Sequence, residues 1–245
     1  MRIETIAGKR FIQSELLLDW GCDHAFGTRD LGPRTGPAHA AIRAAFPEVQ
    51  AIAGVHQEHD KKAARILLGD DLAALRRSPA DIVIVRDPGI AASVRTADCA
   101  PILLFDPRLR AAAAIHAGWK GTVVRAAAEA VRILVAEYGA RVPDLRAAIG
   151  PCIGPCHYQV DEPVIAGIET ALGDLASLTL TPDGPGKARL DLSLANRFLL
   201  QDAGLDPRLI EEARLCTYCN PELFYSYRRQ GQGVPSLHHF IAPLP

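Results

Sequence analysis

The sequence carries almost no net charge. Its 27 Lys and Arg residues nearly balance 28 Asp and Glu residues, which leaves a formal charge of −1 at pH 7. Proteins bind nucleic acids and anionic membrane surfaces mainly through an excess of basic residues, so this balance gives no electrostatic basis for either partner. Any anion that the protein binds must be held by local cations, and we expect small-molecule substrates.

The sequence also lacks the patterns of membrane spans and export signals. No apolar run approaches the ~18 residues of a transmembrane helix, and the opening stretch MRIETIAGKRFIQSELL does not resemble a signal peptide. We therefore expect a cytoplasmic protein that is a monomer or a small homo-oligomer. In that reducing compartment, its six cysteines favour thiols or metal ligands over disulfides.

Apolar residues make up 49% of the sequence, enough for a sizeable core. Along the chain, short continuous apolar runs alternate with segments whose apolar residues are three and four positions apart. Short apolar runs bounded by Pro, Gly or Asp predict four strands, at residues 81–85, 101–105, 111–116 and 145–150. Apolar residues three and four positions apart predict helices at 61–77, 122–138 and 194–203, the second ending at Gly139 and the third capped by Asp191 or Ser193. No linker divides the chain, so we expect one α/β domain with mixed sheets over residues 1–245.

Cys99 and His116 are the first candidates for a functional site. They lie in the segment VRTADCAPILLFDPRLRAAAAIHAGWKGTVV, where Cys99 precedes one predicted strand and His116 ends the next. The chain after His116 turns through Gly118 into a helix, and α/β proteins present ligand-binding groups at such strand ends. A single cysteine or histidine is more often a packed or solvated side chain, and a third candidate group nearby would favour a functional role.

The segment AGVHQEHDKK supplies a third group, His56 or His59. If the segment is extended, the two histidines point to opposite faces and only one of them joins Cys99 and His116. Two histidines and one cysteine would leave a tetrahedral zinc ion with one open position for water or substrate, as catalytic zinc sites require. Without a metal, His116 could instead activate Cys99 as a nucleophile toward an amide or ester.

Four sequence motifs occur in order along most of the chain: TADCAPILLFD, AAIHAGWKG, AIGPCIGP followed by YQVDEPV, and CTYCNPELFYSYRR. Together they resemble the laccase-domain family, whose members are called multicopper polyphenol oxidases or purine nucleoside phosphorylases. The resemblance implies a single-domain layered α/β/β/α sandwich with mixed sheets and a zinc ion held by His, Cys and His. It also implies phosphorolysis of adenosine, inosine, guanosine and methylthioadenosine, together with adenosine deaminase activity.

The resemblance places the metal ligands at His59, Cys99 and His116. His59 matches the family's Gln-x-His pattern in QEH, whereas His56 suits an alignment on GVH and is the second choice. Copper could replace zinc in such a site, because its affinity for these ligands exceeds that of zinc. The sequence departs from the family at Lys120, where arginine is usual, and in the short segment DLGPRTGPAHAAI.

Phosphorolysis requires cations around an incoming phosphate dianion. Four basic residues lie beside the resembling motifs and are the candidates for this role: Arg29, Lys120, Arg228 and Arg229. Lys120 also lies close to the start of the predicted helix at 122–138, whose N-terminal dipole favours anions. We therefore expect Cys99, His116 and Lys120 at the catalytic centre, with a purine nucleoside and phosphate as the small-molecule partners.

Two other functions stay open. A copper-dependent polyphenol oxidase, which the older family name implies, would need clustered histidines, whereas the eight in this chain are mostly scattered. A cysteine hydrolase or amidase acting on a cell-wall precursor would use Cys99 as its nucleophile.

Four further cysteines could form a structural zinc site, although packed thiols are favoured: Cys152, Cys156, Cys216 and Cys219.

Overall fold

Two six-stranded sheets occupy the centre of the computed structural model, which describes residues 1–245. The strands are β1 (Arg2–Ile6), β2 (Lys9–Gln13), β3 (Cys22–Gly27), β4 (Ala51–Ala53), β5 (Ala63–Arg65), β6 (Ile82–Val85), β7 (Ile90–Thr96), β8 (Ala100–Asp106), β9 (Ala111–Ala117), β10 (Arg146–Ile149), β11 (Gln159–Asp161), β12 (Leu180–Pro182), β13 (Lys187–Leu190), β14 (Ile210–Glu212) and β15 (Leu237–Pro243). The first sheet has the order β1-β2-β3-β15-β7-β4, the second β14-β10-β8-β9-β6-β5, and a small third sheet β11-β13-β12. Both large sheets are mixed, since β4 pairs in parallel with β7 and β5 with β6, whereas β15 with β7 and β8 with β9 are antiparallel.

Eight α-helices and four 3-10 turns connect the strands. The helices are α1 (Glu15–Leu18), α2 (Thr35–Ala45), α3 (Leu72–Leu75), α4 (Trp119–Val123), α5 (Ala126–Tyr138), α6 (Glu162–Leu172), α7 (Leu192–Asp202) and α8 (Tyr227–Gln230). The 3-10 turns are Arg29–Leu31, Val142–Asp144, Gly173–Leu178 and Pro207–Leu209. None of the helices combines the length and the apolar character needed to cross a membrane.

The alternation of side chains along the central strands explains how the layers stack. In β8, Ile102 and Leu104 belong to a buried cluster with residues of α5 and α7, whereas Leu103 and Phe105 point the other way into a cluster shared with the first sheet. A third cluster lies between the outer face of the first sheet and α2. This order of helix, sheet, sheet and helix confirms the expected layered α/β/β/α fold with mixed sheets.

The four predicted strands are confirmed as β6, β8, β9 and β10, each with its ends within one residue of the prediction. The predicted helix at 194–203 is confirmed as α7, which begins two residues earlier, at Leu192. Asp191 caps this helix by accepting the N–H of Leu194 over 3.0 Å, because its short carboxylate satisfies a donor that has no partner within the helix.

The predicted helix at 122–138 is two helices, α4 and α5. Arg125 separates them because its backbone is left-handed, with φ 61°. Its guanidinium donates to the carbonyl oxygen of Ala171 in α6 over 2.7 Å, a tertiary contact that the apolar spacing does not reveal. Gly139, with φ 74°, ends α5 as expected.

The predicted helix at 61–77 is wrong. Its first part is the strand β5, which pairs in parallel with β6, and only Leu72–Leu75 is helical, as α3. Gly69, with φ 98°, interrupts the segment, and the carboxylate of Asp71 caps the short helix that follows. Pairing with a neighbouring strand therefore overrides the local helical preference of this segment.

Candidate functional site

The register between β8 and β9 brings Cys99 and His116 together. These strands are antiparallel neighbours, and Pro101 of β8 pairs with His116 of β9. Cys99 immediately precedes β8, so its thiol lies at the same edge of the second sheet as the imidazole. Antiparallel pairing thus places at one corner of the fold two side chains that are distant in the sequence.

His59 reaches this corner from the irregular segment after β4. The His59 and His116 rings meet edge to face, with centroids 4.7 Å apart. His59 Nε2 lies 3.9 Å from Cys99 Sγ. The metal-binding atoms of His59, Cys99 and His116 all lie within 4.8 Å of one another, close enough for a single ion to contact all three.

The structure places His56, the second choice for this ligand, outside the group. The His56 side chain is exposed, and its backbone pairs with the segment before β6. Its N–H donates to the carbonyl oxygen of Ser78, and its carbonyl oxygen accepts the N–H of Ala80, each over 3.0 Å. His56 therefore anchors the start of the irregular segment that carries His59.

Asp81 positions both histidines, and sequence reasoning missed it. This fully buried residue precedes β6, and its Oδ1 accepts the backbone N–H of His59 over 3.0 Å and the Nδ1–H of His116 over 2.7 Å. Its Oδ2 accepts the N–H groups of Glu58 and Asp60. Because Nδ1 of His116 is engaged, Nε2 is the nitrogen left to bind a metal. An acidic residue at the start of a fully apolar strand was the signal in the sequence.

The charges around Cys99 and His116 favour a bound cation. Burial by itself raises the pKa of Cys99, but the charge of His116 and hydrogen bonds from both histidines lower that pKa to about 6. Burial by itself lowers the pKa of His116, but the Cys99 thiolate and Asp81 raise it to about 9. The thiolate and the Asp81 carboxylate therefore surround His116 with negative charge, which either a proton or a metal ion on that side can balance.

Gly118 keeps space open beside the ligand atoms. A Cβ atom at Gly118 would lie 2.7 Å from Cys99 Sγ and 3.2 Å from the Cδ2 atom of His59. Two imidazole nitrogens and one thiolate are a donor set that suits zinc and also copper. The arrangement fits a transition-metal site. It combines three donor side chains, a carboxylate that orients the histidines, and a glycine at position 118 that leaves space beside them.

A cavity of about 770 Å³ opens over His59, Cys99 and His116. Three of its lining residues are cations, Arg95, Lys120 and Arg228, and three are aromatic, Trp119, Tyr158 and Tyr227. Two of the cations lie against aromatic rings: Lys120 Nζ is 5.7 Å from the Trp119 ring centroid, and the Arg228 guanidinium carbon is 5.3 Å from that of Tyr158. This size and this mixture of apolar and charged walls are typical of small-molecule sites.

Arg95 is a cation that sequence reasoning missed. It lies near the end of β7, where it is the one half-buried residue in an otherwise buried strand. The side-chain amide of Gln57 holds the backbone of Arg95 from both sides, donating to its carbonyl oxygen over 2.7 Å and accepting its N–H over 2.9 Å. A basic residue within an apolar strand was the available signal.

The structure places Arg29 and Arg229 away from the cavity. Arg29 Nη1 donates to the carbonyl oxygen of Pro221 over 2.6 Å. The guanidinium of Arg229 donates to three carbonyl oxygens of the same loop, those of Thr217, Tyr218 and Phe224. Both side chains therefore brace the loop at 217–225.

Lys120 lies at the cavity but not beside the long helix. It belongs to the five-residue helix α4, and Arg125 separates α4 from α5. The expectation that a long helix dipole begins near Lys120 is therefore wrong. Any attraction that Lys120 exerts on an anion comes from its own charge.

Asp98 holds one wall of the cavity in place. Its carboxylate accepts the hydroxyl groups of Thr217 and Ser226 and the backbone N–H of Arg228. Asp98 is buried and has φ 92°, a backbone conformation that non-glycine residues seldom adopt. The residue next to Cys99 thus fixes the segment that carries Arg228.

Comparison with known proteins identifies relatives along most of the chain. The model of a family described as "Multi-copper polyphenol oxidoreductase laccase" matches residues 25–241. A Bacteroides thetaiotaomicron protein named "Purine nucleoside phosphorylase" is 36% identical over 151 residues, which are 62% of this chain and 56% of that protein. "Adenosine deaminase RL5", from an unknown prokaryotic organism, is 37% identical over 151 residues, 62% of this chain and 57% of that protein. The matches span little more than half the length of these two relatives.

A third relative matches nearly end to end. "Purine nucleoside phosphorylase slr1573" of Synechocystis is 31% identical over 245 residues, 92% of this chain and 91% of that protein. Among solved structures, Bacillus licheniformis hypothetical protein YfiH superimposes with a TM-score of 0.85 at 27% identity, covering 91% of this chain and 93% of that one. YlmD from Geobacillus stearothermophilus gives 0.83 at 25% identity, covering 95% and 94%. Both share the layered fold.

Proposed function

The chain belongs to the multi-copper polyphenol oxidoreductase laccase family, and we propose that it is a zinc-dependent purine nucleoside phosphorylase. One observation carries this proposal: the ligand atoms of His59, Cys99 and His116 converge at a cavity that also presents cations and aromatic rings. Relatives named purine nucleoside phosphorylase support it, one of them over 92% of this chain. The proposed substrates are phosphate and adenosine, inosine, guanosine or methylthioadenosine.

His59, Cys99 and His116 are the proposed zinc ligands, in a site that copper could also occupy. A zinc ion held by them would supply a Lewis acid at the floor of the cavity. The chain itself supplies the orientation, because the Asp81 carboxylate fixes the His116 ring and the backbone of His59. Gly118 keeps the adjacent space free of a side chain.

Lys120, Arg228 and Arg95 are the proposed phosphate ligands, since all three line the cavity. In phosphorolysis, a phosphate oxygen bonds to C1′ of the ribose while the bond from C1′ to the purine breaks, and the leaving purine takes up a proton. Fixed cations hold the dianion near the sugar and offset its negative charge. Arg29 and Arg229 would contribute indirectly, by bracing the loop that precedes Arg228.

Trp119, Tyr158 and Tyr227 are the proposed contacts of the purine ring. All three line the cavity, and Tyr227 is 57% exposed, so its face is available to a ligand. Flat aromatic side chains give a heterocycle a large contact area in offset or edge arrangements. A nucleoside would then lie with its base on these rings and its ribose toward the cations.

Deamination of adenosine is a second proposed activity, favoured by the relative named adenosine deaminase at 37% identity. Deamination replaces the purine amino group by an oxygen from water, so it uses the same nucleoside but needs no phosphate. Phosphorolysis and deamination would therefore compete for one bound substrate. We place this chemistry in a cytoplasmic protein, a monomer or a small homo-oligomer, that acts on small molecules.

An assay on adenosine with and without phosphate tests the proposal. We expect free adenine and ribose 1-phosphate to appear only with phosphate, and inosine to form in either condition. Copper-dependent phenol oxidation would instead consume oxygen. A cysteine hydrolase would form product without phosphate, and its Cys99 would be alkylated faster after chelation. Absence of both adenine and inosine at all metal loadings would overturn the proposal.

Replacement of one ligand tests the metal assignment. We expect Cys99→Ala to lose both zinc from the site and nucleoside turnover while keeping its circular dichroism spectrum, because two imidazoles alone hold zinc weakly. Cys152→Ala, at a buried cysteine outside the ligand group, is the matched control and should keep its turnover. Full turnover in Cys99→Ala would contradict the assignment.

A further inference from the structure

A second group of metal-binding side chains lies outside the site described above. It consists of Cys156, His157, Cys216 and Cys219, whose ligand atoms all lie within 4.8 Å of one another. The sequence suggested a set of four cysteines, but the structure puts His157 in the place of Cys152. Cys152 is buried and its side chain is not part of the group.

The fold itself brings the two contributing segments together. The backbones at Cys152 and Cys216 form a parallel bridge, in which the N–H of Thr217 donates to the carbonyl oxygen of Cys152 over 3.0 Å. The N–H of Gly154 also donates to Cys216 Sγ over 3.3 Å. These contacts align the turn at 155–157 with the turn at 217–219 without the help of a metal.

The distances within the group suit tetrahedral coordination. Zinc bonds of about 2.3 Å to sulfur and about 2.0–2.1 Å to nitrogen separate the ligand atoms by roughly 3.4–3.8 Å. Cys156 Sγ lies 3.5 Å from Cys219 Sγ, and Cys219 Sγ lies 3.2 Å from His157 Nδ1. Small side-chain rotations would complete the tetrahedron.

Neighbouring groups hold the histidine in this position. The His157 ring stacks on Tyr218, with centroids 4.0 Å apart and planes 14° from parallel. The guanidinium of Arg229 lies on the Tyr218 ring, with its carbon 5.8 Å from the centroid, and is fixed by three backbone carbonyls. The imidazole is therefore part of a built arrangement and not a freely rotating surface side chain.

We propose that Cys156, His157, Cys216 and Cys219 bind a second zinc ion in a structural site. Three thiolates and one imidazole are a common closed set for structural zinc, and they leave no position for substrate. Binding would release the thiol protons to solvent as the zinc–sulfur bonds form. A disulfide between Cys156 and Cys219 would use two of these groups and would leave the convergence of Cys216 and His157 without a role.

The second zinc ion would brace the proposed catalytic cavity. Thr217 lies between two of the ligands, and its hydroxyl donates to Asp98, the neighbour of Cys99. From the other segment, the N–H of Ile153 donates to the carbonyl oxygen of Asp98 over 2.9 Å. A metal that joins both segments would therefore stabilise the surroundings of Asp98 and the cavity wall that carries Arg228.

Zinc content of the full chain and its variants tests this proposal. Protein purified under reducing conditions should hold two zinc ions per chain, Cys219→Ser one, Cys99→Ser one, and the double variant none. Cys152→Ala is the matched control and should keep both. An unchanged zinc content in Cys219→Ser would overturn the proposal, whatever the outcome at Cys99.

Cobalt substitution provides a measurement that does not depend on the folding of Cys219→Ser. In Cys99→Ser the first group has no thiolate, so any thiolate-to-cobalt absorption must come from the second group. We expect that absorption in Cys99→Ser, and its absence would overturn the proposal. A count of free thiols in unfolded, unreduced protein should give six, and a count of four would instead indicate a disulfide.

Discussion

Asp81 connects two proposed metal ligands, His59 and His116, that come from different parts of the chain. One carboxylate oxygen accepts two hydrogen bonds, one from the His116 ring and one from the backbone N–H of His59, which lies 22 residues before Asp81. The motif QEH allowed His59 to be predicted as a ligand, but not its position, because the segment that carries it is irregular. Its path depends on a buried carboxylate that periodicity does not detect.

Replacement of Asp81 should weaken the metal site more than the fold. In Asp81→Asn, the amide NH₂ would face a backbone N–H or the His116 ring N–H, so at least one ligand loses its orientation. We expect zinc affinity, measured by competition with a chromogenic chelator, to fall by about 10–100-fold. Asp106→Asn, at a buried carboxylate at the far end of β8, is the control and should bind zinc as the wild type does. Equal affinities in the two variants would contradict this role.

Thiol reactivity should report the charge state of Cys99 in the metal-free protein. His116 and His59 lower the pKa of Cys99 to about 6, so its thiolate is populated above that pH and is lost as the pH falls through it. We expect the alkylation rate of Cys99, followed by peptide mass spectrometry, to rise with pH around 6. Burial raises the pKa of Cys22 and Cys152, which should stay unreactive at neutral pH.

The variant His116→Ala supplies the contrast for this measurement. Without the imidazole, we expect the alkylation midpoint of Cys99 to move to higher pH, because the largest favourable charge is gone. Added zinc should protect Cys99 in the wild type only. A midpoint that does not move would mean that His116 does not set the charge state of the thiol.

At the scale of elements, the turn from β9 into α4 passes close to two of the proposed metal ligands, Cys99 and His59. Gly118 has an ordinary φ of −74°, so alanine is compatible with its backbone, but its Cβ would lie 2.7 Å from Cys99 Sγ. We expect Gly118→Ala to remain folded and to bind less zinc, as measured by elemental analysis. Gly36→Ala in α2, where a Cβ meets nothing within 4 Å, is the control. Full zinc content in Gly118→Ala would refute this steric argument.

The four apolar strands at the centre of the second sheet were predicted correctly, whereas only one of the three predicted helices, α7, is a single helix in the structure. The runs that form β8 and β9 are bounded by Pro, Gly or Asp, and both strands are buried on both faces. Such strands appear in a sequence as short continuous apolar runs, which is why they could be predicted. The apolar spacing of 122–138 continues through Arg125, whose left-handed backbone accompanies a contact to Ala171 in another helix. Tertiary contacts of this kind have no local signature, and the same limit applies to β5.

The predictions about the candidate site also divide into those that the sequence pattern supports and those that depend on tertiary contacts. Cys99 and His116 could be placed together because they lie at the paired ends of two neighbouring strands. Their charge and their closeness to the motifs predict Arg29 and Arg229 as phosphate ligands, but both donate hydrogen bonds to backbone carbonyls of one loop. Charge in a sequence does not distinguish a cation that binds substrate from one that supports a loop.

At the scale of the whole molecule, both large sheets share the buried layer between them. Residues of both sheets, including Phe26 and Phe105, belong to one cluster, so neither sheet can expose its inner face without the other. We expect one cooperative unfolding transition, consistent with the single domain predicted over residues 1–245. Circular dichroism should give the same urea midpoint as the fluorescence of Trp119, isolated in Trp20→Phe. Two separate midpoints would indicate independent units.

At position 59, the backbone conformation favours glycine, whereas the proposed metal site requires a histidine side chain. Its left-handed backbone, with φ 64°, would suit glycine best, and such a conformation costs about 1–3 kcal/mol for other residues. The proposed metal site requires an imidazole at this position, so replacing His59 by glycine would relax the backbone but remove the proposed donor atom. Substitutions elsewhere that lower the free energy of unfolding should therefore let this strained loop relax first. The proposed metal site would then be lost before the rest of the fold.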